Sequence, residues 1–278
     1  MNRSVNLIQY IFSRHLKTTL VALFSAFLFN AQARDIILMN KADTTPVAER
    51  EAILILPGFG TIFHNTKNQV ANFKNQGFDV FIPDYISRKS LAKCTKNVDQ
   101  FYKKHHLDRY KKVHVFSYII GSWTINLWLK QHPSSNITTI VYDRSPLQES
   151  VPKILVKTNP FLSRLIFGKL IRELSETPYE PFAADSINVG ILIECKATKI
   201  LWSKKAEFDK MPPLSFEKDS LHQPCTDYFY TFLSHDDLYT NLETASPEVL
   251  NFFRNGLFTA AASREKCARD PFETYREQ

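Results

Sequence analysis

The chain has 278 residues, 44% of them hydrophobic and 23% charged, which is enough for one large globular domain with its own core, or at most two; one is expected. Its formal charge of +7 drops to +4 once residues 1–33 are set aside, because Arg3, Arg14 and Lys17 lie there without a single acid. So mild a basic bias, with no arginine-rich face and no aromatic RNA motif, excludes a nucleic-acid-binding protein.

Residues 1–33 combine that basic start with the apolar run Thr19 to Phe29 and the sequence Ala31-Gln32-Ala33. This is the pattern of a cleavable secretory signal, cut after Ala33. The run is well short of the roughly 20 apolar residues a spanning helix needs, so no permanent membrane span is expected. The protein is therefore read as secreted or periplasmic, with a mature domain over 34–278. Cys94, Cys195, Cys225 and Cys267 all lie in the exported part. Disulfides form in such a setting, and four cysteines allow three pairings, with buried free thiols as the alternative. No C-x-x-C or His/Cys spacing indicates a metal site.

After a short strand at Asp35 to Met39, Ala52-Ile53-Leu54-Ile55-Leu56 is a continuous apolar run of the kind buried parallel strands show, ended by Pro57-Gly58-Phe59-Gly60. A helix around Lys67 to Asn75, closed by Gly77, precedes a strand at Phe78 to Ile82 that ends on Pro83-Asp84-Tyr85. Leu91, Cys94, Val98, Phe101 and Tyr102 mark an amphipathic helix over Ser90 to His105. A strand at Lys112 to Phe116, a helix from about Ile120 to Gln131 and a strand at Thr138 to Tyr142 follow. Strands alternating with helices predict an α/β layer with a mostly parallel central sheet and helices on both faces.

Residues 146–188 break this rhythm, with several prolines and amphipathic stretches such as Pro160 to Phe167. An insertion after the C-terminal end of a strand lies over the side where open α/β sheets bind ligands, so it reads as a helical lid or, failing that, a peripheral subdomain. Val189 to Ile193 and Tyr228 to Leu233 supply two more strands, and Pro247 to Phe258 the last helix. That helix should run back from the end of its strand and carry Cys267 toward Cys225, which makes 225–267 the expected bridge.

The order of these pieces over roughly residues 35–260 resembles the α/β-hydrolase fold. The features that carry the resemblance are the strand end Leu56 to Gly60, the strand closing on Pro83-Asp84-Tyr85, the strand-turn-helix at Val113 to Trp123, the insertion after Asp143, and a late His235 before a terminal helix. In that family the turn is G-x-S-x-G, its small residues flanking a nucleophile on a strained, crowded bend. Laying Ser117-Tyr118-Ile119-Ile120-Gly121 on it leaves Gly121 in place, Ser117 as a small substitute, and Ile119 at the nucleophile position. An alkyl side chain has no lone pair with which to attack a carbonyl, so acyl-enzyme chemistry does not start there.

The resemblance implies His235 as the general base. The strand end Ile193-Glu194-Cys195 offers no aspartate where the acid normally stands, whereas Asp143, one strand earlier, could orient His235. The alternatives are an Asp143–Arg144 ion pair and a structural histidine. An oxyanion hole would draw on the backbone N–H of Ile120 and on the Phe59-Gly60 loop, with Tyr118 beside them. Two functions remain in view. One is an exported, non-catalytic or atypical member that binds a small apolar or acyl-type ligand, or a partner. The other is an ester hydrolase in which His235, with Asp143 or Asp237, activates water, or Ser117 or Ser145 serves as nucleophile. Seven glycines with no G-x-G-x-x-G and no P-loop imply no cofactor.

Overall fold

The computed structural model describes residues 35–40, 44–59 and 63–272; the segment read as a signal, and Gly60, lie outside them. Seven strands form one sheet: β1 (Ile36–Leu38), β2 (Glu51–Leu56), β3 (Phe78–Ile82), β4 (Lys112–Ser117), β5 (Ile137–Arg144), β6 (Asn188–Glu194) and β7 (Asp227–Thr231), in the order β1-β3-β2-β4-β5-β6-β7. Only β1, at one edge, runs antiparallel to its neighbour. The α/β class and the mostly parallel sheet expected from the alternation are what the chain adopts.

The continuous apolar strands follow from burial on both faces. In β2 the side chains alternate between two cores: Ala52, Leu54 and Leu56 join one, Ile53 and Ile55 the other. The first core is closed by α2 (Leu91–Lys104) and α3 (Ile119–Gln131); the second is closed by Phe73 of α1 (Phe63–Phe73) and by the late helices described below. Ser90 caps α2, its hydroxyl accepting from the Lys93 N–H, which is why the amphipathic pattern begins where it does.

The insertion between β5 and β6 holds three helices, α4 (Pro146–Thr158), α5 (Pro160–Phe167) and α6 (Leu170–Glu176). Pro146 and Pro160 open the first two from a position where the missing N–H costs nothing. The Glu173 carboxylate of α6 accepts from the Leu91 N–H and ties the insertion to α2. Phe167, at the end of α5, meets Phe59 edge to face at 5.1 Å, so the insertion reaches the end of β2. Two short helices, α7 (Lys199–Trp202) and α8 (Lys205–Phe208), follow β6; α9 (His235–Thr240) and α10 (Ser246–Asn255) follow β7, and Leu238, Tyr239, Val249 and Phe252 complete the second core.

The cysteine pairing differs from expectation. The disulfide joins Cys195 to Cys267, 72 residues apart, and Cys94 and Cys225 are free. The reason lies beyond α10. After Gly256 the chain turns back along β7: the Phe258 N–H donates to Asp227, and the Ser263 carbonyl accepts from the Tyr230 N–H. This carries Cys267 past Cys225, which precedes β7, to the far end of the sheet, where Cys195 follows β6. Non-reducing peptide mapping is expected to recover the 195–267 peptide pair. Burial pushes the Cys94 thiol up to about 11 and raises that of Cys225, so both should alkylate slowly until the protein unfolds. Closing a loop of 72 residues stabilises by about 4 kcal/mol in the chain-entropy estimate, and the Cys195→Ala/Cys267→Ala double variant should lose stability on that scale in denaturant titrations.

Candidate functional site

Three side chains converge at the C-terminal edge of the sheet. Asp143 stands opposite Leu192 across the β5–β6 pair, and Glu194 lies two residues further along β6. Side chains two apart on a strand share a face, so both carboxylates point to the side covered by α9. His235 is the first residue of that helix. Its position is fixed by a reciprocal cap: the Ser234 hydroxyl accepts from the Asp237 N–H, and the Asp237 carboxylate accepts from the Ser234 N–H.

The result is an imidazole whose Nδ1 lies 3.1 Å from Asp143 Oδ2 and 3.0 Å from Glu194 Oε1. Both neighbours are acceptors, so Nδ1 carries the proton. Asp143 and Glu194 have no solvent exposure. Burial by itself would lower the His235 pKa, but Glu194 and Asp143 outweigh it and hold it up at about 10. Glu194 is itself raised well above an ordinary carboxyl, first by burial and then by the charge of Asp143. Asp143 Oδ1 and Glu194 Oε2 find no hydrogen-bond partner among the described residues. The same three donors lie within 4.8 Å of one another and are the group among the described residues that could enclose a cation, which would have to displace the Nδ1 proton.

Nε2, on the other side of the ring, faces the end of β2. A Cβ placed on Gly58 would stand 3.2 Å from Nε2 and 3.0 Å from the Tyr239 hydroxyl, a tight contact that glycine avoids. The Gly58 N–H donates to the Tyr239 hydroxyl, and the Tyr85 hydroxyl donates to the Pro57 carbonyl at 2.6 Å.

Among the elbow residues, Tyr118 and not Ile119 touches the histidine. Tyr118 links β4 to α3 with φ −75° and ψ 168°, while Ile119 is the first residue of the helix and packs, half-buried, with the opposite core. Non-glycine residues with positive φ occur among the described residues only at Asn75, His106 and His222, so the strained bend of a nucleophile turn is not made here. The Tyr118 ring is fully buried, lies edge-on to His235 at 5.4 Å and stacks on Tyr239 at 4.2 Å. Its hydroxyl accepts from Gln69 at 2.9 Å. Burial raises its pKa well above that of a free phenol, so it stays protonated.

Gly121 sits where a Cβ would come within 2.8 Å of Leu56 and of the Ser117 hydroxyl, which accounts for that glycine by close packing of α3 on the sheet. Ser117 points toward α3, with its hydroxyl 3.3 Å from that of Ser122, and Ser145 is fully buried. Asp237 is engaged by the cap and by Lys196 at 3.1 Å. Arg144 pairs with Glu149 rather than Asp143 and lies over the Tyr179 ring. Ile120 is in the first turn of α3, where backbone N–H groups have no intrahelical acceptor. Phe59 is half-buried against Phe167.

Sequence reasoning brought Asp143 to His235 but missed Glu194. A search for aspartate passed over a glutamate at the last position of a buried strand, although a carboxylate of either length serves as the acid.

No protein-family profile and no curated protein matches the chain. Among solved structures it is similar to Est1E from Butyrivibrio proteoclasticus (TM-score 0.51, 13% identity, 80% of this chain and 93% of that one). It is also similar to the juvenile hormone epoxide hydrolase of the silkworm Bombyx mori (0.52, 11%, 80% and 73%) and to the Bacillus megaterium epoxide hydrolase (0.52, 10%, 80% and 96%). The chain therefore has the α/β-hydrolase fold.

Because the folded pKa of His235 lies above the ordinary histidine value, its contribution to stability is complete below about pH 6.5 and is lost as the pH climbs through about 10. NMR titration should find one imidazole that stays protonated across neutral pH. Glu194→Gln should lower its pKa, and a His235 that titrates near 6.5 would contradict the two-carboxylate arrangement.

Proposed function

We propose that the protein is an exported, non-catalytic α/β-hydrolase-fold protein whose site binds a small apolar or acyl-type ligand, or a partner, rather than turning over an ester. The observation that carries this is the elbow. Tyr118, a buried neutral phenol, occupies the junction beside His235, and Ile119 follows it into the opposite core. Neither supplies the activated oxygen or sulfur that acyl transfer requires.

The state of His235 argues in the same direction. A general base must be unprotonated at working pH, and an imidazole held as a cation up to about 10 is instead a hydrogen-bond donor to a bound carbonyl or carboxylate. Phe59 and Phe167, packed together between the end of β2 and the insertion, support an apolar wall and a lid role for residues 146–188. Export is supported by the N-terminal pattern and by the Cys195–Cys267 bridge, which suits an oxidising compartment. No helix among the described residues is long and apolar enough to cross a membrane.

A second reading, hydrolysis by a His235-activated water, draws on the Asp143–His235 contact, which is the geometry of a base and its orienter. Turnover of p-nitrophenyl butyrate separates the two. Wild type and His235→Ala, each with its fold checked by circular dichroism, should both match the buffer rate between pH 6 and 9. Turnover above buffer that vanishes in His235→Ala would establish the hydrolase instead.

A further inference from the structure

Four large apolar side chains stand out into solvent beside the sheet's C-terminal edge: Phe161 is 78% exposed, Ile200 65%, Leu165 51% and Trp202 40%. Phe161 and Leu165 are four residues apart on one face of α5, while Ile200 and Trp202 belong to α7. Both helices follow the ends of adjacent parallel strands, β5 and β6, so they rise from the same side of the sheet. α4 joins them: Leu147 and Ile154 of α4 pack with Leu201 of α7, and the Ser163 hydroxyl of α5 donates to the Leu155 carbonyl of α4 at 2.8 Å.

The chain around these residues is rich in cations. From Ser150 to Arg172 the chain carries Lys153, Lys157, Arg164, Lys169 and Arg172 and no acid. All five are exposed, and among the described residues Lys153, Lys157, Arg164 and Lys169 make no salt bridge. Lys199, exposed, and the half-buried Lys204 and Lys205 frame Ile200 and Trp202, Lys205 being paired with Asp209 at 2.7 Å, and no acid lies between positions 199 and 206. Protruding aromatic and aliphatic side chains framed by lysine and arginine are the chemistry of an element that lies in the boundary of a lipid layer. Two copies of so basic a face repel one another, whereas anionic headgroups complement it.

We infer that α5 and α7, carried on α4, form a peripheral docking surface for an anionic bilayer, with Phe161, Leu165, Ile200 and Trp202 entering the headgroup boundary. This surface is distinct from the His235 site and does not depend on whether that site turns over esters.

The chain contains its own reporter. Of its three tryptophans, Trp123 and Trp128 are buried, so Trp202 is the one that a bilayer can reach. The full protein is mixed with vesicles of phosphatidylcholine alone, or of phosphatidylcholine with one-third phosphatidylglycerol, each carrying brominated acyl chains. Binding and quenching of the Trp202 emission are expected only with phosphatidylglycerol, and should be absent in Trp202→Phe. Phe161→Asp/Leu165→Asp should abolish both, and Lys153→Glu/Lys157→Glu should weaken binding by at least about tenfold, given roughly fivefold per surface charge. Raising the salt to 0.5 M should release the protein. The inference is overturned if the vesicles do not bind, if binding survives both double variants, or if bound protein leaves Trp202 unquenched. It is equally overturned if sedimentation shows a self-association that Phe161→Asp/Leu165→Asp removes, since the surface would then join two copies.

Discussion

Two carboxylates without solvent exposure share one imidazole nitrogen, and the arrangement of this end of the molecule follows from that contact. Bringing two acids together in a dry place is unfavourable unless a proton or cation sits between them. The β5–β6 register places both on one face, and the Ser234–Asp237 cap delivers His235 to them at the start of α9. His235 is thereby the positive member of a closed cluster. Its other nitrogen faces Gly58, where a Cβ would press against it at 3.2 Å.

The elbow is rebuilt around the same histidine. A serine elbow exposes a small side chain on a strained turn, whereas this chain passes from β4 to α3 through an extended tyrosine with negative φ. Tyr118 stacks on Tyr239, Tyr239 holds the Gly58 N–H, and both rings meet His235 edge-on. Aromatic packing thus fills the junction beside His235. The fold motifs persist because they answer packing demands: Gly121 is required by the closeness of α3 to Leu56, whatever happens at the apex.

Much of this was legible in the sequence. Continuous apolar runs such as Ala52 to Leu56 identify strands buried on both faces, and their alternation with helices gives the parallel sheet. The Asp143–His235 contact was legible because each follows a recognisable strand. The placement of Tyr118 was not, since which side chain of a strand-to-helix turn faces the histidine depends on backbone angles that a motif alignment does not contain. Glu194 was hidden by expecting only aspartate. The disulfide was misassigned because its course depends on residues 258–267 running back along β7, an irregular segment without periodicity to announce it.

The central claim is that no activated nucleophile stands beside His235. The most direct measurement is labelling of the folded protein with a fluorophosphonate, which forms a covalent bond with activated serines, followed by intact mass and peptide mapping. The structure predicts no adduct at any residue under conditions that fully label an active serine hydrolase. An adduct on a single hydroxyl, lost in His235→Ala, would contradict it.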